Sequence, residues 1–248
     1  MRIAVAGGTG WMGKLIVEAL RENGHGPVVL ARSTGVDLTT GAGLAKALDG
    51  VDTVVDVSNV VTTSRARSVA FFEAATTHLL RAEEAAGVGH HLVLSIVGCD
   101  RVAMGYYLGK LRQEELVRRG RVPYTVLRAT QWHEFAAQTL ARGGPLVIAP
   151  RMRCQPIAAA EVAAHLTELV EGDPRGLAPE LAGPEVHEMV DMVRRLQRAR
   201  GGRRPVLPVK LPGSVGRAMT TTGLLPQDPG PRGRVTFDEW VAARGRVA

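Results

Sequence analysis

The first twenty residues decide most of what this chain can fold into. Met1–Ala6 is a short apolar run of strand length. It passes directly into Gly7-Gly-Thr-Gly-Trp-Met-Gly13, and Lys14–Leu20 continues at helical spacing. Gly8, Gly10 and Gly13 also satisfy the pattern G-x-G-x-x-G. Glycine lets the backbone turn tightly and approach a pyrophosphate with no Cβ in the way. The helix that follows aims its unpaired N–H groups and its positive dipole end at an anion. An ordinary glycine-rich turn is the plain alternative. The position between a first strand and a first helix is the context that the dinucleotide fingerprint requires. Gly7, Thr9, Gly10, Trp11, Met12 and Gly13 are therefore the candidate phosphate-binding residues.

Strand and helix patterns alternate through the first two thirds of the chain. Strands are expected at 27–31, 53–57, 91–96 and 124–128, and helices at 44–48, 68–86 and 105–119. The strands are short, rich in β-branched residues and apolar on both faces, as buried parallel strands must be. The expected fold class is α/β, a doubly wound parallel (Rossmann) sheet. Later, 145–148 reads as a strand, and 160–170 and 185–198 as helices. Thr236, with Glu239 three residues on, reads as the cap of a closing helix. One domain over 1–248 is expected, with the segments at about 131–155 and 185–248 forming a small C-terminal substrate lobe.

With 45% hydrophobic residues in 248, the chain can bury a large core. Its longest apolar runs, such as 91–98, are too short to span a bilayer. The first strand begins at residue 1, where a signal peptide would lie. Cys99 and Cys154 form no framework, and His90-His91 lacks metal-ligand companions, so no metal is expected. These features point to a cytoplasmic protein without a membrane partner, a monomer or homodimer. Of the +7 charge, much sits in Arg194–Arg204. No aromatic residue interleaves these arginines, so a solvated helix end is preferred to a nucleic-acid surface.

An NAD site usually places an acid at the end of the second strand, for the ribose hydroxyls. Here that place reads Ala31-Arg32-Ser33, without a carboxylate. Arg32 offers a guanidinium fork for a 2′-phosphate and Ser33 a hydroxyl, which predicts NADP(H) over NAD(H). Asp37 and Leu38, at a truncated third-strand position, are candidates for the adenine; a loop-capping Asp37 is the alternative. Val57, Ser58 and Asn59 should lie along the dinucleotide by topology.

Ser95 lies near the end of a strand, and Tyr106 and Lys110, four apart, share one helix face. An ammonium beside a phenol would lower the phenol's pKa, and such a tyrosine passes a proton to a carbonyl oxygen as hydride arrives. Tyr107 is an outside candidate. After the strand at 124–128, Gln131, Trp132, His133 and Phe135 are candidate substrate residues, their aromatic rings suited to a flat substrate. Trp132 and Phe135 read equally as the apolar side of a helix, and His133 as a hydrogen-bonded structural histidine.

The glycine turn, Leu94-Ser-Ile-Val-Gly98, Tyr106-Tyr-Leu-Gly-Lys110 with Gln113-Glu-Glu-Leu-Val117, and Thr125-Val-Leu-Arg-Ala-Thr-Gln131 together resemble the atypical short-chain dehydrogenase/reductases. Within that superfamily the chain is most similar to the NmrA-like, isoflavone-reductase-like NAD(P)-binding proteins. The resemblance runs through nearly the whole chain, including 155–162 and Ala182-Gly-Pro184. It implies a Rossmann domain with a small substrate lobe, and NADP(H) as cofactor. It implies an oxidoreductase acting on a carbonyl, quinone or conjugated, aromatic small molecule. Some relatives bind the cofactor alone and act as redox-sensing regulators, and non-redox epimerisation or dehydration is a third possibility. The Ser95–Tyr106 spacing is shorter than in most tyrosine-dependent relatives, and several isoflavone-reductase-like members rely on the helix lysine alone. Lys110 therefore leads the catalytic candidates, followed by Tyr106 and Ser95, with Lys110 also holding the nicotinamide ribose.

Overall fold

The computed structural model describes residues 1–142 and 144–245. The last three residues of the expected lobe, 246–248, and Gly143 lie outside the described residues. The first half contains β1 (Arg2–Ala6), α1 (Trp11–Glu22), β2 (Gly26–Leu30), α2 (Leu44–Ala47), β3 (Thr53–Asp56), α3 (Arg65–Ala86) and β4 (His90–Ile96). It continues with α4 (Gly105–Arg119), β5 (Tyr124–Ala129), α5 (Glu134–Ala141), β6 (Val147–Pro150), β7 (Arg153–Cys154), α6 (Ala159–Val170) and β8 (Gly176–Leu177). The chain closes with β9 (His187–Glu188), α7 (Met189–Ala199), β10 (Val206–Val209), α8 (Gly213–Thr220) and α9 (Phe237–Gly245).

Six strands form one parallel sheet in the order β2-β1-β3-β4-β5-β8. Ala4 and Ala6 of β1 pack with Leu30, Val54, Leu44 and Leu79 in one core cluster. Ile3 and Val5 alternate with them, point to the opposite face and are as fully buried. Both faces of the sheet are thus covered, which makes the fold doubly wound as expected. The chain reverses direction across the sheet after β2, so β1 and β3 flank the topological switch point, where α/β ligands bind.

Several expected boundaries shift; the helix expected at 68–86, for one, begins at Arg65. No third strand forms at 37–38; Asp37 pairs only with Ala42 in an isolated bridge, so Thr53–Asp56 is the third strand. The expected helix at 185–198 begins at Met189, because His187–Glu188 pairs antiparallel with Arg153–Cys154. The strand expected at 145–148 runs from Val147 to Pro150. The closing cap forms as expected: Thr236 N–H donates to Glu239 at 2.8 Å, and Glu239 N–H donates back to Thr236 Oγ1 at 3.2 Å.

By their internal packing, the residues divide into two compact units. One comprises Met1–Ser95, Met104–Arg128 and Ala163–Ala178; the other Ile96–Ala103, Ala129–Val162 and Pro179–Ala248. In the first unit α3 and α4 approach closely at two glycines. A Cβ on Gly105 would lie 2.5 Å from the Thr63 carbonyl oxygen. A Cβ on Gly109 would overlap Ser68 Oγ and lie 2.7 Å from the Phe72 ring. These glycines fix α4 against α3 and so set the height of Lys110 along the sheet.

The arginine-rich stretch is largely spoken for within the second unit. Arg194 pairs with Asp191 at 3.4 Å and Arg195 with Asp238 at 3.0 Å, and Arg204 donates to the Leu140 carbonyl at 2.6 Å. No described helix is long and apolar enough to cross a membrane. Among the described residues no His, Cys, Asp and Glu group could hold a metal ion.

Buried histidines set an acid limit on this fold. His90 Nε2 meets Thr125 Oγ1 at 2.8 Å, and desolvation pushes its pKa down to about 4. The unfolded chain takes up that proton near pH 6.5 and the folded chain does not. The His90 contribution is therefore constant above pH 6.5, and it destabilises the fold as the pH drops from 6.5 towards 4, by up to about 3 kcal/mol. Burial also lowers His133 and His187, in the same direction. The buried His91–Glu83 pair, at 2.9 Å, keeps its histidine above the ordinary value and works the other way. Thermal midpoints of wild type and His90→Gln should therefore converge on moving from pH 7.5 to pH 4. A constant difference would contradict this assignment.

Candidate active site

The site is built from the first unit, starting at the switch point. Gly7 takes φ +79°, and a Cβ there would lie 2.9 Å from Ser58 Cα. A Cβ on Gly13 would overlap the Gly7 carbonyl oxygen and lie 2.6 Å from Gly8 Cα. The turn can close only because both residues are glycine. Gly10 caps α1 without a side chain, and no acid lies in the first helical turn. The positive end of α1 is therefore not neutralised from within its own sequence.

After β2 the chain makes a tight turn over Arg32–Thr34. Thr34 Oγ1 donates to the Val29 and Ala31 carbonyls and accepts the Ala31 N–H. Arg32 and Ser33 are exposed on this turn. Asp37 accepts the hydroxyl and the N–H of Thr39 at 2.6 and 2.8 Å. These bonds, the hydroxyl first, hold its carboxyl below the ordinary value, with a smaller contribution from Arg32. The loop-capping alternative for Asp37 is thus realised in the structure. Leu38 packs against the core cluster beside it.

Val57 and Ser58 are buried after β3, and Asn59 is exposed. Ser58 N–H donates to Asp56 Oδ1 at 2.8 Å. The Ser58 hydroxyl is buried with no hydrogen-bond partner among the described residues. A buried orphan hydroxyl, on a residue whose backbone packs on a glycine turn too tight for side chains, fits a polar ligand there, such as the phosphates of a dinucleotide.

Behind this edge lies a buried polar network. Lys110 Nζ donates to the Leu94 carbonyl at 2.9 Å and to Gln113 Oε1 at 2.8 Å. Gln113 Nε2 donates to Asp56 Oδ2 at 2.8 Å. Ser95 Oγ donates to Glu114 Oε1 at 2.5 Å. Arg128 closes on the same carboxylate as a fork, Nε to Oε1 at 2.9 Å and Nη2 to Oε2 at 2.7 Å. Lys110 with Asp56, bridged by Gln113, and Arg128 with Glu114 thus form two buried clusters, each holding one cation and one anion.

Tyr106 departs from expectation. Its ring packs edge-on against Phe72 and Tyr107, with centroids 6.0 and 6.1 Å away. The Lys110 ammonium turns to Leu94 and Gln113 and sits 4.6 Å over the Phe72 ring. Burial raises the Tyr106 phenol above its ordinary value. Helical spacing puts the two residues on one face, but hydrogen bonding directs the amine elsewhere. Tyr107 is buried.

The proposed substrate residues belong to the second unit. Gln131 is buried, and Trp132 and Phe135 are half-buried. His133 is 1% exposed. Its Nε2 meets the Val235 carbonyl at 3.0 Å, and its ring lies against Phe237 and Trp240 at 5.5 and 5.9 Å. Desolvation lowers its pKa. The structure gives His133 the place of a hydrogen-bonded structural histidine, holding α9.

Sequence reasoning passed over Asp56, Gln113, Glu114 and Arg128. An acid ending the buried strand Thr53–Asp56 and an arginine inside Tyr124–Ala129 were the available signals, since buried charges occur almost only in pairs.

The family model for NAD(P)H-binding proteins matches residues 7–173. The chain belongs to this NAD(P)H-binding family. No curated protein matches it. Among solved structures it is similar to an NADPH-dependent quinone oxidoreductase from Escherichia coli complexed with NADPH. That match has 20% identity and a TM-score of 0.73, over 98% of this chain and 99% of the other. A short-chain dehydrogenase/reductase superfamily protein from Agrobacterium tumefaciens with bound NAD matches at 20% identity and TM-score 0.73, over 99% and 96%. A UDP-glucose-4-epimerase from Stenotrophomonas maltophila with bound NAD matches at 17% and 0.73, over the whole of both chains. At these identities the likeness establishes the fold alone, a Rossmann-type α/β fold shared with these proteins.

Proposed function

We propose that this NAD(P)H-binding protein is an NADP(H)-dependent oxidoreductase that reduces a carbonyl, quinone or conjugated, aromatic small molecule. The observation that supports it is the buried Lys110, joined through Gln113 and Asp56 to the segment beside the glycine cradle. A bound reduced nicotinamide supplies hydride. The cradle Gly7–Gly13 holds the phosphates, and Lys110 holds the nicotinamide ribose. Tyr106, protonated at neutral pH as an ordinary phenol is, is the proton donor of this reading, and burial makes it a weaker acid than an exposed phenol. A water held by Lys110 is the other source. The Ser95 hydroxyl gives its hydrogen to Glu114, which makes it the weakest of the three as a donor to a carbonyl oxygen. Gln131, Trp132 and Phe135 are kept as substrate residues of the second unit.

NADP(H) preference rests on Arg32 and Ser33, exposed after β2 with no acid on that turn. Arg32→Ala should weaken NADPH by about 10-fold or more and leave NADH nearly unchanged, because a charge-assisted bond contributes about 1.5–3 kcal/mol. Competition binding with both dinucleotides measures this, and equal losses for the two would contradict it.

The reaction is tested by following NADPH oxidation with a panel of quinones and aromatic ketones. Turnover is expected, and Lys110→Ala should lower kcat/KM by about 100-fold or more. Binding without turnover of any compound would make the chain a redox-sensing regulator. Conversion with no net change in the dinucleotide would make it an epimerase or dehydratase.

A further inference from the structure

One amide joins the buried lysine to the ligand edge of the sheet. We propose that Gln113 is a positioning residue that couples Lys110 to the dinucleotide-binding segment after β3. This rests on reading the cradle as a dinucleotide site. The chain of contacts is continuous: Lys110 Nζ to Gln113 Oε1 at 2.8 Å, Gln113 Nε2 to Asp56 Oδ2 at 2.8 Å, and Ser58 N–H to Asp56 Oδ1 at 2.8 Å. Ser58 in turn packs on Gly7, close enough that a Cβ on Gly7 would lie 2.9 Å from Ser58 Cα. Lys110, Gln113, Asp56 and Ser58 are all buried.

The ends of this relay have fixed polarity. An ammonium only donates and a carboxylate only accepts. The amide between them must therefore point its oxygen at Lys110 and its nitrogen at Asp56, and only that orientation satisfies both. Asp56 is held by two donors, one from α4 and one from its own strand end, which fixes the Ser58 backbone against the turn. A ligand seated beside Ser58 and the position of the Lys110 amine are then linked, and by reciprocity each affects the other. The charged groups around the relay are Lys110 and Glu114 on α4, Asp56 at the end of β3, Arg128 on β5, and His91 and Glu83 on β4 and α3. The last two feel the charge of Asp56.

A glutamate at this position has the same shape, but it must hold a proton to donate to Asp56. A methionine leaves the ammonium and the carboxylate without their shared partner. The test is a titration of NADPH into wild type, Gln113→Glu and Gln113→Met between pH 6 and 9. Circular dichroism and thermal midpoints establish the folded fraction at each pH. Affinities are taken relative to wild type, which removes the titration of the nucleotide itself. Gln113→Glu should bind within about 3-fold of wild type at pH 6 and at least 10-fold more weakly at pH 9, as the shared proton leaves. Gln113→Met should be about 10-fold weaker at every pH. A residue that only supports packing would lower the thermal midpoint and leave the affinity of the folded protein without this pH profile. A flat ratio for Gln113→Glu, or wild-type affinity in folded Gln113→Met, overturns the coupling. If wild type itself binds no dinucleotide, the reading of the cradle falls and the coupling with it. Indifferent variants beside a binding wild type overturn the coupling alone.

Discussion

Gly13→Ala should lower dinucleotide affinity by about 100-fold or more while leaving most of the fold intact. The added methyl would overlap the Gly7 carbonyl oxygen and lie 2.6 Å from Gly8 Cα, both backbone atoms that cannot rotate away. The turn must open or α1 must slide outward. Either movement pulls the helix N-terminus from the position where its N–H groups reach a phosphate. The stability loss should stay at about 1–3 kcal/mol, as for other overpacked sites. The contrast with Gly24→Ala is informative. Gly24 also has positive φ, at +77°, but nothing lies within 4 Å of its would-be Cβ. That variant should lose a little stability from backbone strain and keep its affinity. Equal affinities for Gly13→Ala and wild type would show that the turn does not bind the phosphates.

The second large effect is on stability. Arg128→Met should cost about 3–5 kcal/mol, because it leaves Glu114 charged, buried and short of its fork. For a chain of this size that is about 10 °C or more in the thermal midpoint. Removing both charges, with Arg128→Met and Glu114→Leu together, should recover much of the loss, since two apolar residues need no partner. Urea titrations of the two single variants and the double variant measure the coupling as a cycle. A loss below about 1 kcal/mol in Arg128→Met would mean that water reaches Glu114 and the pair is not truly buried.

The layout of the sheet was legible because parallel strands covered on both faces leave unbroken apolar runs, and Ile3–Ala6 and Val54–Val55 are such runs. The Thr236–Glu239 cap was legible because its two members are three residues apart. What escaped notice was non-local. His187–Glu188 becomes a strand only by meeting Arg153–Cys154, and two residues carry no periodicity. Gln113 meets Asp56 across 57 positions, and Glu114 meets Arg128 across 14. Helical spacing placed Lys110 and Tyr106 on one face, but spacing does not fix where a long side chain reaches. The amine was drawn to Leu94 and Gln113, and the phenol was left to desolvation.

Calorimetric titration of the purified chain with NADPH and NADH tests the central claim most directly. The account predicts one site, saturable heat with both dinucleotides and tighter binding of NADPH. No heat with either would contradict it.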